Sequence, residues 1–104
     1  NLDDEIATGG TNIDSAADLK ARFGAARVWA VVTHGVLCGP AADRFGEPSC
    51  PVDRVFISDT IPVSTRPELT PLIESGRLDV TSWAPDLGWI LYHHHWNLSI
   101  RELR

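Results

Sequence analysis

Apolar positions along this chain fall into short blocks with two different periods. The run VWAVVT at residues 28–33 is continuous and β-rich, of the kind a parallel sheet buries on both faces. VFIS at 55–58 and LDVTS at 78–82 give two further strands, the first ending at Asp59. Between these blocks the period lengthens. Ala16, Leu19 and Phe23 fall at helical spacing, and Gly24 is placed to stop that helix. Thr11-Asn12-Ile13-Asp14 has the Thr-x-x-acid form of a helix start, which makes Thr11 the cap and puts Asp14 in the first turn. A short helix is expected across 41–45 and a helical turn near 69–75. A final helix should start with Pro85 at its first position and run to about Trp96. Strands separated by helices imply right-handed crossovers, so the expected fold is α/β, a parallel sheet with flanking helices.

Two features complicate that picture. A turn such as Thr8-Gly9-Gly10-Thr11 normally follows a strand, yet only Asn1 and Leu2 precede the acidic pair Asp3 and Asp4. The sheet is therefore expected to lack its leading strand, and residues 1–104 to form a single domain or part-domain of a longer polypeptide. In the final helix, Leu87, Ile90, Leu91 and His94 make one stripe that should dock on the sheet. Trp89, Tyr92 and Trp96 make a second, aromatic stripe. A surface helix needs one apolar face, so a partner subunit is the expected cover for the other.

Composition narrows the function. At 104 residues, with 43% hydrophobic and 22% charged residues, the chain is an ordinary globular domain at most. A net charge of −5 leaves no basic stripe for a nucleic acid. No apolar run approaches the ~20 residues of a membrane span. Cys38 and Cys50 have neither C-x-x-C nor zinc-finger spacing, so reduced thiols and a cytoplasmic setting are expected.

The candidate chemistry is concentrated in LDDEIATGGT, which starts at Leu2. Thr8-Gly9-Gly10-Thr11 opens a helix, where backbone N–H groups and partial positive charge favour a phosphate. The glycines permit positive φ and close backbone approach. Asp3 and Asp4, just upstream, suit diol hydroxyls or a magnesium ion. Phosphate at one end and a diol at the other describe a pentose 5-phosphate. Composition alone leaves a solvated acidic turn before a capped helix equally open. No G-x-x-x-x-G-K-[ST] or G-x-G-x-x-G is present. His34 suits either a ligand-facing role or a loop histidine that shapes its turn. Asp59, at a strand's C-terminal end, suits either a ligand site or a cap on the turn across residues 60–62. His93, His94 and His95 are consecutive, so on a helix they fan apart at ~100° intervals and cannot converge on a metal.

LDDEIATGGT resembles the ribose-phosphate loop of the phosphoribosyltransferase fold. VVTHGVLCGPA, VFISDTIPV and LDVTSWAPDL follow it in the order and spacing of the ribose-phosphate pyrophosphokinases, and the resemblance runs from Leu2 to about Leu103. It implies a magnesium-dependent enzyme that moves the β,γ-diphosphate of ATP onto C1 of ribose 5-phosphate. The chain would be the second half of its C-terminal domain, in a protein that forms homo-oligomers. Ala7, Thr8, Gly9, Gly10 and Thr11 would hold the 5-phosphate, with Asp3 and Asp4 facing the ribose hydroxyls and metal. Catalytic groups are expected upstream of Asn1. Ala7 departs from the aspartate common there, which supplies a base in purine salvage enzymes and so argues against that chemistry. Cys38 stands where serine is common. In the tail NLSIREL, Ser99 matches and Asn97 does not, which weakens the case for an inhibitory phosphate or ADP site. The alternatives are a catalytically silent synthetase-associated regulatory or assembly subunit, and a phosphoribosyltransferase that uses phosphoribosyl pyrophosphate.

Overall fold

The computed structural model describes residues 2–99, so part of the NLSIREL tail lies outside the described residues. Four strands form one parallel sheet: β1 (Leu2–Ile6), β2 (Trp29–Gly35), β3 (Arg54–Ser58) and β4 (Leu78–Thr81). Their order in the sheet is their order in the chain, with Asp3 beside Val32, Val32 beside Ile57 and Ile57 beside Val80. The helices are α1 (Gly10–Phe23), α2 (Ala41–Gly46), α3 (Thr70–Glu74) and α4 (Ala84–His95), with a 3-10 turn at Pro67–Leu69 leading into α3. In such an order, right-handed crossovers carry α1, α2 and α3 over the same face of the sheet.

The core lies under those helices. Ala30, Val32, Val55, Ile57 and Leu78 from the sheet meet Ala16, Phe45, Leu69 and Leu72. The opposite face is more open. Trp29 is 46% and Val31 42% exposed, so VWAVVT alternates instead of being buried on both sides. Both-face burial needs helices on both faces, and chain-order strands supply them on one. Trp29 packs against Phe56 with ring centroids 5.5 Å apart, and the Arg54 guanidinium lies 5.0 Å above the Phe56 ring.

The strand expected to be missing ahead of the glycine turn is present as β1. Asp3, Asp4 and Glu5 are poor strand formers, but main-chain pairing with β2 places them and their carboxylates stay exposed. The start of α1 also differs from expectation. Gly9 caps it in the left-handed region at φ 84°, no side chain caps it, and no acidic residue lies in its first turn. The helix thus begins before Thr11, which is not the cap, and Asp14 sits one turn further in. Its far end follows the sequence: Gly24 adopts φ 67° and the Ala25 N–H reaches Leu19 O at 3.2 Å.

The stripe Leu87, Ile90, Leu91, His94 does not dock α4 on the sheet. Leu87 and Ile90 are half-buried, while His94 is exposed and Leu91 is 58% exposed. Apolar side chains surround this helix, so spacing singles out no inner face. Its one buried residue is His93, whose Nδ1 lies 2.9 Å from Trp89 O. The aromatic stripe Trp89, Tyr92 and Trp96 stands exposed, with the Trp89 and Tyr92 rings edge-on at 5.8 Å.

Candidate functional site

β1 delivers the chain into the turn at residues 7–9, and α1 leaves from its far side. Asp3, Glu5, Ile6, Ala7, Thr8, Gly9, Gly10, Thr11 and Asn12 line a cleft of about 210 Å³ there. The structure therefore brings the predicted loop and Asp3 to one place. Asp4 is not part of the lining, because successive strand residues point to opposite sides. Glu5 takes its place, two residues from Asp3. Strand periodicity applied to "DDEI" would have found Glu5. Asn12 was also missed; its signal was its position among the first residues of the helix.

The turn can meet an anion with backbone donors. The first N–H groups of α1 have no intrahelical acceptor and cluster at the positive end of the helix dipole. Gly9 cannot be replaced without strain, on two counts. Its φ is +84°, and a Cβ there would sit 2.5 Å from Phe45 Cε2 and 2.8 Å from Phe45 Cζ. Phe45, fully buried on α2, is thus the floor against which the turn is pressed. At Gly10 the nearest group to an added Cβ is Arg44 Nη1, 3.3 Å away. The same Nη1 donates to Thr8 O at 3.3 Å, putting a positive charge beside the turn. Two more bonds hold its upstream side: Leu37 N–H to Ile6 O at 2.9 Å and Cys38 N–H to Ala7 O at 3.0 Å.

The remaining candidates sort by their partners. His34 Nδ1 lies 2.9 Å from Thr60 Oγ1, whose hydroxyl also reaches Thr33 O at 3.3 Å, so this histidine ties the end of β2 to the segment after β3. Asp59 accepts the Trp83 N–H at 3.0 Å. The Ser82 hydroxyl and that N–H hold its carboxyl below the usual carboxylate range. It braces the entry to α4, not the turn after β3. Asp53, remote from the cleft, is likewise lowered by the Val28 N–H and Lys20, at 2.8 and 3.0 Å. His93 is buried while His94 and His95 are exposed, as consecutive helical positions require. Among the described residues no three His, Cys, Asp or Glu side chains gather to hold a metal ion. Asp3 and Glu5, on one side of an exposed strand, suit a cation carried in with a substrate and largely hydrated. No helix among the described residues is long and apolar enough to cross a membrane.

Comparison with known proteins gives the site its context. No protein-family model matches the chain. The ribose-phosphate pyrophosphokinase of Rhodopirellula baltica is 40% identical over 102 residues, which is 98% of this chain and 29% of that protein. That of Caldanaerobacter subterraneus is 34% identical over 102 residues, again 98% and 29% of the two chains. The phosphoribosylpyrophosphate synthetase of Mycobacterium smegmatis superposes with a TM-score of 0.78 at 33% identity, covering 92% of this chain and 29% of that one. The chain thus spans less than a third of the length of these relatives. Four sequence blocks in family order, a parallel sheet that superposes on a solved synthetase, and matches along nearly its whole length agree: the chain belongs to the ribose-phosphate pyrophosphokinase family.

Proposed function

We propose that the protein carrying this chain transfers a diphosphate group from ATP to ribose 5-phosphate, giving phosphoribosyl pyrophosphate and AMP. In this reading the segment is the second half of a phosphoribosyltransferase-type C-terminal domain and supplies the ribose 5-phosphate site. The observation that carries it is the Gly9 turn, pressed onto Phe45 and opening α1 inside a cleft that also holds Asp3. The N–H groups at the start of α1 and the hydroxyls of Thr8 and Thr11 receive the 5-phosphate. Ala7, having no charge, leaves that end of the cleft free of repulsion. Asp3 and Glu5 accept hydrogen bonds from the ribose hydroxyls, which sets the ring with its C1 oxygen toward the nucleotide. That oxygen attacks the β-phosphorus of ATP, the bond to the α-phosphate oxygen breaks, and AMP leaves. Magnesium, when bound, would neutralise charge on the transferred diphosphate, and Asp3 and Glu5 would meet its hydration shell. The contribution of these residues is therefore orientation and charge complementarity.

The same proposal includes a cytoplasmic homo-oligomer assembled through the exposed aromatic stripe of α4. The silent-subunit alternative needs no cradle, whereas the Gly9–Phe45 fit and the N–H groups clustered beside it are what a phosphate site demands. The test is phosphoribosyl pyrophosphate formation from ATP and ribose 5-phosphate in the parent protein and in Gly10→Val. The variant should fold and lose ribose 5-phosphate binding, because its side chain fills the cradle while only the mobile end of Arg44 must yield. Unchanged affinity in the variant, or no product from the parent, refutes the reading.

A further inference from the structure

The segment between β2 and α2 stands between the phosphate turn and an arginine far along the chain. Its carbonyls converge on one guanidinium. Arg66 Nη1 donates to Gly35 O at 2.8 Å, and Nη2 donates to Leu37 O at 2.8 Å and to Val36 O. The Arg66 side chain is 14% exposed, and Glu68 Oε1 lies 3.7 Å from its Nε. Its backbone is fixed as well, with its N–H on Val63 O at 3.0 Å and its carbonyl receiving Leu69 N–H at 3.1 Å. Three successive carbonyls turned toward one point require an unusual backbone, and Leu37 adopts φ 45°, a region that leucine rarely occupies. A planar guanidinium holds that arrangement with donors on two nitrogens, whereas an ammonium would have to reach all three acceptors from one.

The opposite edge of the same segment presents the two N–H groups that grip the cradle. Leu37 N–H and Cys38 N–H bond Ile6 O and Ala7 O, the residues immediately before the glycine turn. Leu37 thus donates to the cradle and accepts from Arg66 through the two peptide groups that flank its Cα. A shift of this segment moves the turn that receives the phosphate, and the β2 pairing of β1 ends at Gly35 with no further ladder to resist it.

We propose that Arg66 is a positioning residue for the ribose 5-phosphate cradle, acting through the carbonyls of Gly35, Val36 and Leu37, and this rests on the function proposed above. Its side chain is turned into the protein and touches no substrate. Removing it loosens the register of residues 35–38 and, with it, the aim of the N–H groups in the turn. The consequence falls on the sugar phosphate and leaves ATP affinity intact.

The experiment uses the protein carrying this chain, as Arg66→Met and Arg66→Lys, with KM measured for each substrate and amide hydrogen exchange followed at residues 6–11 and 37–38. Arg66→Met should raise the ribose 5-phosphate KM about tenfold or more with the ATP KM unchanged, since small misplacements are costly at an oriented site. Arg66→Lys should fall between the two. Exchange at Leu37, Cys38 and the turn should speed up in Arg66→Met. An unchanged ribose 5-phosphate KM, or an equal rise for both substrates tracking a drop in melting temperature, overturns the proposal. If Arg66→Met does not fold, Arg66→Lys decides it by the same KM comparison at parental melting temperature. If the parent does not bind ribose 5-phosphate, the functional reading fails by itself. The exchange data then still decide whether Arg66 holds the turn, and unaltered protection there refutes it.

Discussion

Replacing Gly9 with alanine adds one methyl group at the point where the turn, α1 and α2 meet. Two costs add. A non-glycine residue in the left-handed region costs about 1–2 kcal/mol. The new methyl would also lie 2.5 Å from Phe45 Cε2, well inside van der Waals contact, and Phe45 is a buried side chain held in the core. Overpacking of that kind costs about 1–3 kcal/mol. Together they make about 2–5 kcal/mol, a large share of the 5–15 kcal/mol that typically holds a domain folded. The assay is equilibrium urea unfolding of Gly9→Ala, Phe45→Leu and the double variant. The two changes should couple, the double variant recovering about 1 kcal/mol or more of the steric share and none of the backbone share. Ribose 5-phosphate affinity should fall in Gly9→Ala even where the protein remains folded, because relief of the clash lifts the turn. Stability of Gly9→Ala within about 0.5 kcal/mol of the parent would refute the account, since that is the range of surface changes. Additive energies in the cycle would show that Phe45 is not the obstacle.

Asp3→Asn should weaken ribose 5-phosphate binding by about tenfold, as loss of a charge-assisted hydrogen bond predicts, while Asp4→Asn should have a much smaller effect. Titration calorimetry ranks the two, and equal losses would place both carboxylates in the cleft. Asp53 has a folded-state pKa below its ordinary value, so it contributes stability above the unfolded pKa near 3.8 that is lost as pH falls through the folded value. Asp53→Asn should therefore reduce stability at neutral pH and flatten the acid side of the stability–pH curve, with Asp18→Asn, a more exposed surface pairing, as the comparison. Trp89→Glu with Trp96→Glu should lower the mass seen by light scattering at unchanged melting temperature. A constant mass with a collapsed melting temperature would make that stripe part of the protomer's core.

How much of this was readable beforehand depended on the range of the interaction involved. β2, β3 and β4 announce themselves as short β-rich runs, although only alternate positions of β2 and β3 are buried, and the end of α1 does so because a left-handed cap needs Gly24. β1 was hidden: its pairing is a main-chain property, and its exposed positions accept carboxylates that mask the strand. The side on which the helices lie was equally hidden, since it follows from strand order and not from any local pattern. The glycine turn and its cleft were legible from Gly9 and Gly10, with Glu5 recoverable as a lining residue from strand periodicity. Phe45, Arg44 and Arg66 were not, because each acts on the turn or its support from some 30 or more residues away, and nothing near them in sequence indicates it.

The position of the turn makes those distant contacts necessary. Among the described residues β1 pairs with β2, and that pairing stops at Ile6 and Gly35, just short of the glycine turn. A glycine-rich turn beyond the end of that ladder is entropically costly to order, and ordering it only on binding would weaken ligand binding by that cost. The contacts from the α2 side remove the problem in advance. Phe45 fixes the height of Gly9, Arg44 fixes Thr8 O, and the Leu37 and Cys38 N–H groups fix Ile6 O and Ala7 O. Each hydrogen bond contributes only about 1 kcal/mol net. They act on consecutive residues of one short segment, however, so displacing any one residue strains its neighbours. The N–H groups at the start of α1 are thereby oriented before any ligand arrives, which is the condition under which a helix terminus discriminates a phosphate from water.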